Sequence, residues 1–199
     1  ASDVYKRQVY YFSYNVGRPD LIGTFFGATL ATMFVGLVFV PKLAERFSKA
    51  GAIQIGALFT VLASIGFYLT PVDEPTWVIV WGCLVALGGA PIAVLGWAMI
   101  PDTVDYAQWR FGKRADGAVY SMSSFFQKLA KALGGAGVAA ALAAVGYVAN
   151  QPQSAETLEM ILNLMTVVPI VLMAAMILLA RLYKFCLLYT SDAADDLLC

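Results

Sequence analysis

Uncharged apolar runs recur along the chain at near-regular intervals. Residues 21–40, 52–69, 77–100 and 160–180 contain no Asp, Glu, Lys or Arg. A helix needs about 20 such residues to cross a hydrocarbon core of about 30 Å, so each run predicts a transmembrane helix. A fifth stretch, 118–147, is as long but carries Lys128 and Lys131. Tyr10-Tyr11-Phe12-Ser13-Tyr14 reads as the aromatic exit of a further helix. The separators at 17–20, 41–51, 71–76, 101–117 and 150–159 hold most of the charge, with Gly and Pro at their edges, and read as loops. Several uncharged or nearly uncharged spans in series argue against the buried helices of a large soluble protein.

The loops then fall alternately on two sides, and the basic residues choose between them. One side collects Lys42, Arg46, Lys49, Arg110, Lys113, Arg114, Arg181 and Lys184, whereas the other has only Arg18. Basic loops stay cytoplasmic. The expectation is a multi-pass protein of the cell (inner) membrane with a cytoplasmic C-terminus and external loops at 71–76 and 150–159.

Composition agrees. Sixty per cent of the 199 residues are hydrophobic and 13% are charged, against roughly a quarter charged in soluble domains. The formal charge is zero, which offers nothing to nucleic acid. The absence of His removes the usual Ser/His and Cys/His catalytic sets and His-based metal sites. No enzyme activity is expected, and no cofactor or metal site.

Both ends look foreign to the rest. Cys186 to Ala194 can be encoded as TGT CTC TTA TAC ACA TCT GAC GCT GCC. Read one base out of frame, its reverse complement encodes Ala1 to Arg7 and most of a Gln codon. The string resembles a transposon adapter of DNA library preparation. Residues 1–8 and 186–199 are therefore expected to be translated adapter, and 9–185 the transmembrane segment proper.

Within that segment a few residues carry chemistry. Lys128 lies ten residues past Ala118, about 15 Å into the membrane, and Lys131 is one turn deeper on nearly the same face. A charge at mid-membrane costs at least about 2.5–3.5 kcal/mol and calls for a cavity or a counter-charge. No span holds an Asp or Glu, so the counter-charge must come from a substrate or from another part of the protein. Asp102 and Asp105, three residues apart, share a face at the cytoplasmic mouth. Pairing with Arg110, Lys113, Arg114 or a basic loop elsewhere would make them a gate; a solvated loop is the plainer alternative. The Gly88-Gly89-Ala90-Pro91 and Gly134-Gly135-Ala136-Gly137 runs suit close helix packing or a bend, and Pro169 suits a bend in the last span.

The run from Asp102-Thr103-Val104-Asp105-Tyr106 through Gly112-Lys113-Arg114 to Tyr120-Ser121 and Gln127-Lys128 resembles the glycoside–pentoside–hexuronide:cation symporters. This melibiose permease-like family lies within the major facilitator superfamily. The resemblance implies an all-α membrane protein, the C-terminal half of a major facilitator fold: the end of helix 7 plus helices 8–12. It further implies that Lys128 lies near the sugar and cation sites, and that Asp102 and Asp105 form the acidic pair at the cytoplasmic end of helix 10. A helix-10 Trp of the family's sugar site aligns near Ala93, and this chain has Trp97 one turn on. A coupling cation (Na+, H+ or Li+) is expected, its ligands mainly in an N-terminal half absent from this chain. The expected partners are a small sugar, the lipid bilayer and that N-terminal half. The expected activity is sugar:cation symport by alternating access. Alternatives are a transporter of the same fold for a lipid-like or other non-sugar solute, or a membrane-embedded enzyme or channel subunit.

Overall fold

The computed structural model describes residues 8–71, 74–112, 114–149 and 151–181, apart from the side chain of Arg110. Most of both suspected adapter segments (1–7 and 186–199), with Lys113 and Lys184, lies outside these residues. Every regular element described is helical. A π-helical turn at Tyr11–Asn15 and a 3-10 turn at Pro19–Leu21 lead into α1 (Ile22–Leu69). Then follow α2 (Pro75–Phe111), α3 (Asp116–Ala144), α4 (Ala155–Met165) and α5 (Val167–Ala180).

The stretch 41–51, expected as a loop, is helical apart from a sharp break at Ser48, which adopts φ 64° and ψ 165°. Its Oγ accepts the N–H of Gly51 at 3.2 Å, three residues on, so Ser48 caps a second helical arm. The break reverses the chain. Gly36, twelve residues before it, and Gly56, eight after, both lie against the same turn of α2, residues 87–91. At 48 residues α1 is thus two membrane spans folded into a hairpin.

Close approach is written into the glycines. A Cβ on Gly56 would stand 2.6 Å from the Gly88 carbonyl oxygen, and one on Gly88 would stand 2.8 Å from that of Gly56. The first Gly cluster therefore serves packing at Gly88 and does not interrupt α2; Gly89 faces open space. Around this contact Val40, Ala52, Ile53, Ala90 and Leu95 form the inner core, joined by Met176 of α5. A second core at the opposite end gathers Tyr11, Phe12, Phe25, Phe67, Val78, Leu142, Ile161 and Leu164.

Two further boundaries differ from expectation. The 101–117 loop shrinks to a few residues, because α2 continues past Pro101 to Phe111 and ends on Gly112 at φ 65°, the left-handed cap that favours glycine. The last span begins earlier, at Ala155, where the Ser154 side chain accepts the Thr157 N–H. It breaks at Thr166, between α4 and α5. Pro169 cannot donate to the carbonyl of Met165 four residues back, which accounts for a bend there.

By length and apolar composition, Pro19–Leu69, Pro75–Trp109 and Ala155–Ala180 can cross a membrane. The 29-residue α3 is long enough too, but falls short in apolar character because of the polar side chains it carries.

Candidate functional site

Those polar side chains are ordered along α3. Ser121, Ser124, Lys128 and Lys131 follow at spacings of three, four and three, and all are exposed. At about 100° per residue they fall within ~80° of one another, a single stripe. Outside it α3 exposes Met122, Phe125, Phe126, Leu129 and Leu133. A charged stripe midway along a helix of a multi-pass membrane protein is costly unless it faces a counter-charge or a water-filled cavity. The stripe runs on toward Leu142, on the same side of the helix and buried in the outer core. The lysines therefore share a side with the residue that docks α3 on the bundle.

Both lysines sit near the middle of α3, about 20 Å from either end at ~1.5 Å per residue. Neither has a carboxylate within ion-pair distance among the described residues. Gly134 and Gly137, just beyond, have no neighbouring side chain or backbone within 4 Å of where a Cβ would be. Gly134 and Gly137 thus make no close packing in the described bundle.

The outer end of α3 is anchored where the polar stripe is not. Tyr147 and Tyr14 hydroxyls lie 3.1 Å apart, and the Tyr147 ring meets those of Tyr10 and Tyr14 edge-on at 5.3 and 5.6 Å. Thr157 donates to the Val145 carbonyl at 2.9 Å, and Asn15 donates to that of Leu158 at 2.9 Å. These bonds tie the π-helical turn, the α3 exit and the start of α4 into one block.

Asp102 and Asp105 of the expected gate lie at the opposite end, on the α2 extension, and Arg114 just beyond it. Asp102 accepts two hydrogen bonds from Lys49 Nζ, at 2.7 and 2.8 Å, in a half-buried pair. Lys49 stands beside the Ser48 break, so the pair fastens the hairpin turn of α1 to α2. Asp105, although on nearly the same face, pairs instead with Arg114 at 3.5 Å. Arg114 also donates to Asp116 at 2.8 Å and to Gln108 at 3.1 Å. The Asp116 hydrogen bond, and with it the Asp105 charge, holds the exposed Arg114 guanidinium above its ordinary pKa. Arg110 and Lys113 cannot be placed, since their side chains lie outside the described residues.

Trp97 lies four residues past the midpoint of α2, on an open face with Ala93 and Val94, and is 57% exposed. It shares the depth of the lysines along its own helix and stands apart from the ion pairs. No group of three or more potential metal ligands occurs among the described residues.

Sequence reasoning missed two features. The Ser121–Ser124 continuation of the lysine stripe was detectable from its three–four–three spacing. The Lys49–Asp102 pair joins residues 53 apart and required the hairpin to be known.

Comparison with known proteins gives a family model described as MFS/sugar transport protein, which matches residues 6–185. The uncharacterized symporter YjmB of Bacillus subtilis (strain 168) is 32% identical over 180 residues, 88% of this chain and 38% of that protein. The isoprimeverose transporter of Lactiplantibacillus pentosus is 35% identical over 166 residues, 82% of this chain and 34% of that protein. The chain thus spans little more than a third of the length of these relatives.

Proposed function

We propose that this chain, which belongs to the MFS/sugar transport protein family, forms the C-terminal helices of a sugar:cation symporter in the cell membrane. The observation that carries this reading is the polar stripe with two lysines midway along α3 and no carboxylate within ion-pair distance of either among the described residues. Such a surface is tolerable only against a cavity that brings its own polar groups. In symport the facing half supplies carboxylates that hold the coupling cation, and Lys128 meets them across the cavity. Trp97, at the same depth on α2, offers a ring face for a sugar to stack on. The solute and cation bind between two halves that rock to open the site to each side in turn. The cation drives this cycle only by binding one state more tightly than the other.

The cytoplasmic ion pairs fit a gating role. Lys49–Asp102 and Asp105–Arg114–Asp116 set a charged rim on the side that the basic residues assign to the cytoplasm. Surface ion pairs contribute at most about 1 kcal/mol, and Lys49–Asp102 is more sheltered than the pairs made by Arg114. A same-fold transporter of lipid-like solutes fits less well, because the stripe is rich in hydrogen-bonding groups.

The test is uptake by the full-length transporter in proteoliposomes under an imposed Na+ or H+ gradient. Sugar accumulation that collapses when an ionophore dissipates the gradient supports symport. Equilibration without accumulation under every cation gradient would refute it.

A further inference from the structure

The cytoplasmic end of the first arm of α1 carries two cations that the ion pairs of the bundle leave aside. Lys42 and Arg46 are four residues apart and both exposed. Neither has a carboxylate within ion-pair distance among the described residues, whereas Lys49, three residues beyond Arg46, is held by Asp102. Glu45 lies at the edge of their face and pairs with neither. Arg46 stands 5.7 Å over the Phe47 ring, which supports one plane of the guanidinium and leaves its N–H edges available to an anion. Arg181, just past α5 and five residues beyond Met176 of the inner core, adds a cation without an ion pair on the same side of the membrane.

Below this basic pair the same face is apolar and uncovered. At about 100° per residue, Val35, Val38, Phe39, Lys42 and Arg46 fall within an arc of ~100°, and all five are exposed. The far side of the arm carries Leu37, Val40 and Ala44 into the inner core. Depth sorts the residues along the open face. Lys42 lies 20 residues past Ile22, where α1 begins, which is about 30 Å at ~1.5 Å per residue and equals the hydrocarbon thickness. Arg46, about 6 Å further, stands within the headgroup layer, itself about 5–7 Å deep on each side. Val35, Val38 and Phe39 remain in the hydrocarbon.

We infer that this face holds an anionic phospholipid of the cytoplasmic leaflet, its phosphate between Lys42 and Arg46 and an acyl chain along Phe39, Val38 and Val35. Charge complementarity selects the lipid, because a zwitterionic headgroup brings its own cation to the basic pair and an anionic one does not. Each basic side chain at this level favours anionic lipid about fivefold. The apolar stretch beneath the pair selects a lipid over a free phosphate. The inference rests on the multi-pass membrane reading and not on symport.

The full-length transporter in detergent is titrated with palmitoyl-oleoyl phosphatidylglycerol or with the matching phosphatidylcholine, and binding of the first lipid is followed by native mass spectrometry. Phosphatidylglycerol should bind at least about tenfold more tightly. Lys42→Gln with Arg46→Gln should weaken phosphatidylglycerol at least about tenfold and leave phosphatidylcholine within about twofold, and Lys42→Arg with Arg46→Lys should largely retain binding. A monodisperse size-exclusion profile confirms that the double variant is folded; if it is not, each single Gln variant is read instead, with an expected loss of about fivefold. Glycerophosphoglycerol, the headgroup without acyl chains, should not compete at the concentration of the lipid. Equal affinity for the two lipids would overturn the inference. Full phosphatidylglycerol affinity in the folded Gln variants would also overturn it, and would leave this face to the N-terminal half or to a second copy of the chain. Competition by the headgroup alone would overturn it in favour of a soluble phosphodiester.

Discussion

Replacing Gly88 by Ala should weaken the bundle far more than the same change at Gly89, its neighbour on the same helix. A Cβ at Gly88 would lie 2.8 Å from the Gly56 carbonyl oxygen and 2.9 Å from the Thr60 backbone nitrogen. Ordinary contact begins near 3.4 Å, so the difference, 3.4 minus 2.8, requires the second arm of α1 and α2 to separate by about 0.6 Å. These are backbone atoms, and no rotamer change relieves the clash. A gap of that size forfeits a quarter to a half of the dispersion attraction of each pair it opens. Overpacking of this kind costs about 1–3 kcal/mol. At Gly89 a Cβ meets nothing within 4 Å, and Ala should improve helix propensity by up to ~1 kcal/mol. Thermal unfolding of the full-length transporter in detergent, followed with a thiol-reactive dye, measures both. Gly88→Ala and Gly56→Ala should each lower the midpoint by a few degrees, and Gly89→Ala should not. Because both glycines serve one contact, the double variant should lose less than the sum. Equal effects at Gly88 and Gly89 would refute the packing argument.

The other expectations concern topology and the ion pairs. A cysteine at Gln151 should react with an impermeant reagent in intact cells and one at Phe111 should not; the reverse pattern would invert the orientation. Replacing Asp102 and Asp105 together by Asn should slow transport several-fold while cation-dependent binding of substrate persists. Loss of that cation dependence would move the two carboxylates from the gate into the coupling site.

Much of the architecture was readable because lipid imposes a simple rule: spans must be apolar and loops need not be. That rule located α2, α5 and both arms of α1, and marked Lys128 as anomalous. It fails where helices extend into water. Pro41 and the charged run after it looked like a loop, yet Glu45, Arg46 and Lys42 are good helix formers, and the reversal is made at one residue, Ser48. Nothing marks Ser48 as a residue of positive φ, since Gly or Asn would be the usual signal. Pro101 looked like a terminator, yet it sits inside α2. The helix stops at Gly112, whose left-handed cap lies inside the stretch expected as a loop. In the site, charge drew attention to the lysines and away from Ser121 and Ser124, which have the same periodicity. The partner of Asp102 was beyond reach, since Lys49 comes to it only through the Ser48 reversal.

The most direct test of the account is cation-driven sugar accumulation by the full-length transporter carrying Lys128→Ala, measured in proteoliposomes beside the wild type and Lys131→Ala. The lysine lies midway along α3 on its polar stripe with no acidic partner among the described residues. In the symport reading it joins the two halves through the carboxylates that bind the cation. Lys128→Ala should abolish accumulation against a gradient, and Lys131→Ala should reduce it by less. Accumulation at the wild-type rate in Lys128→Ala would contradict the account and leave Lys128 a side chain that merely faces water.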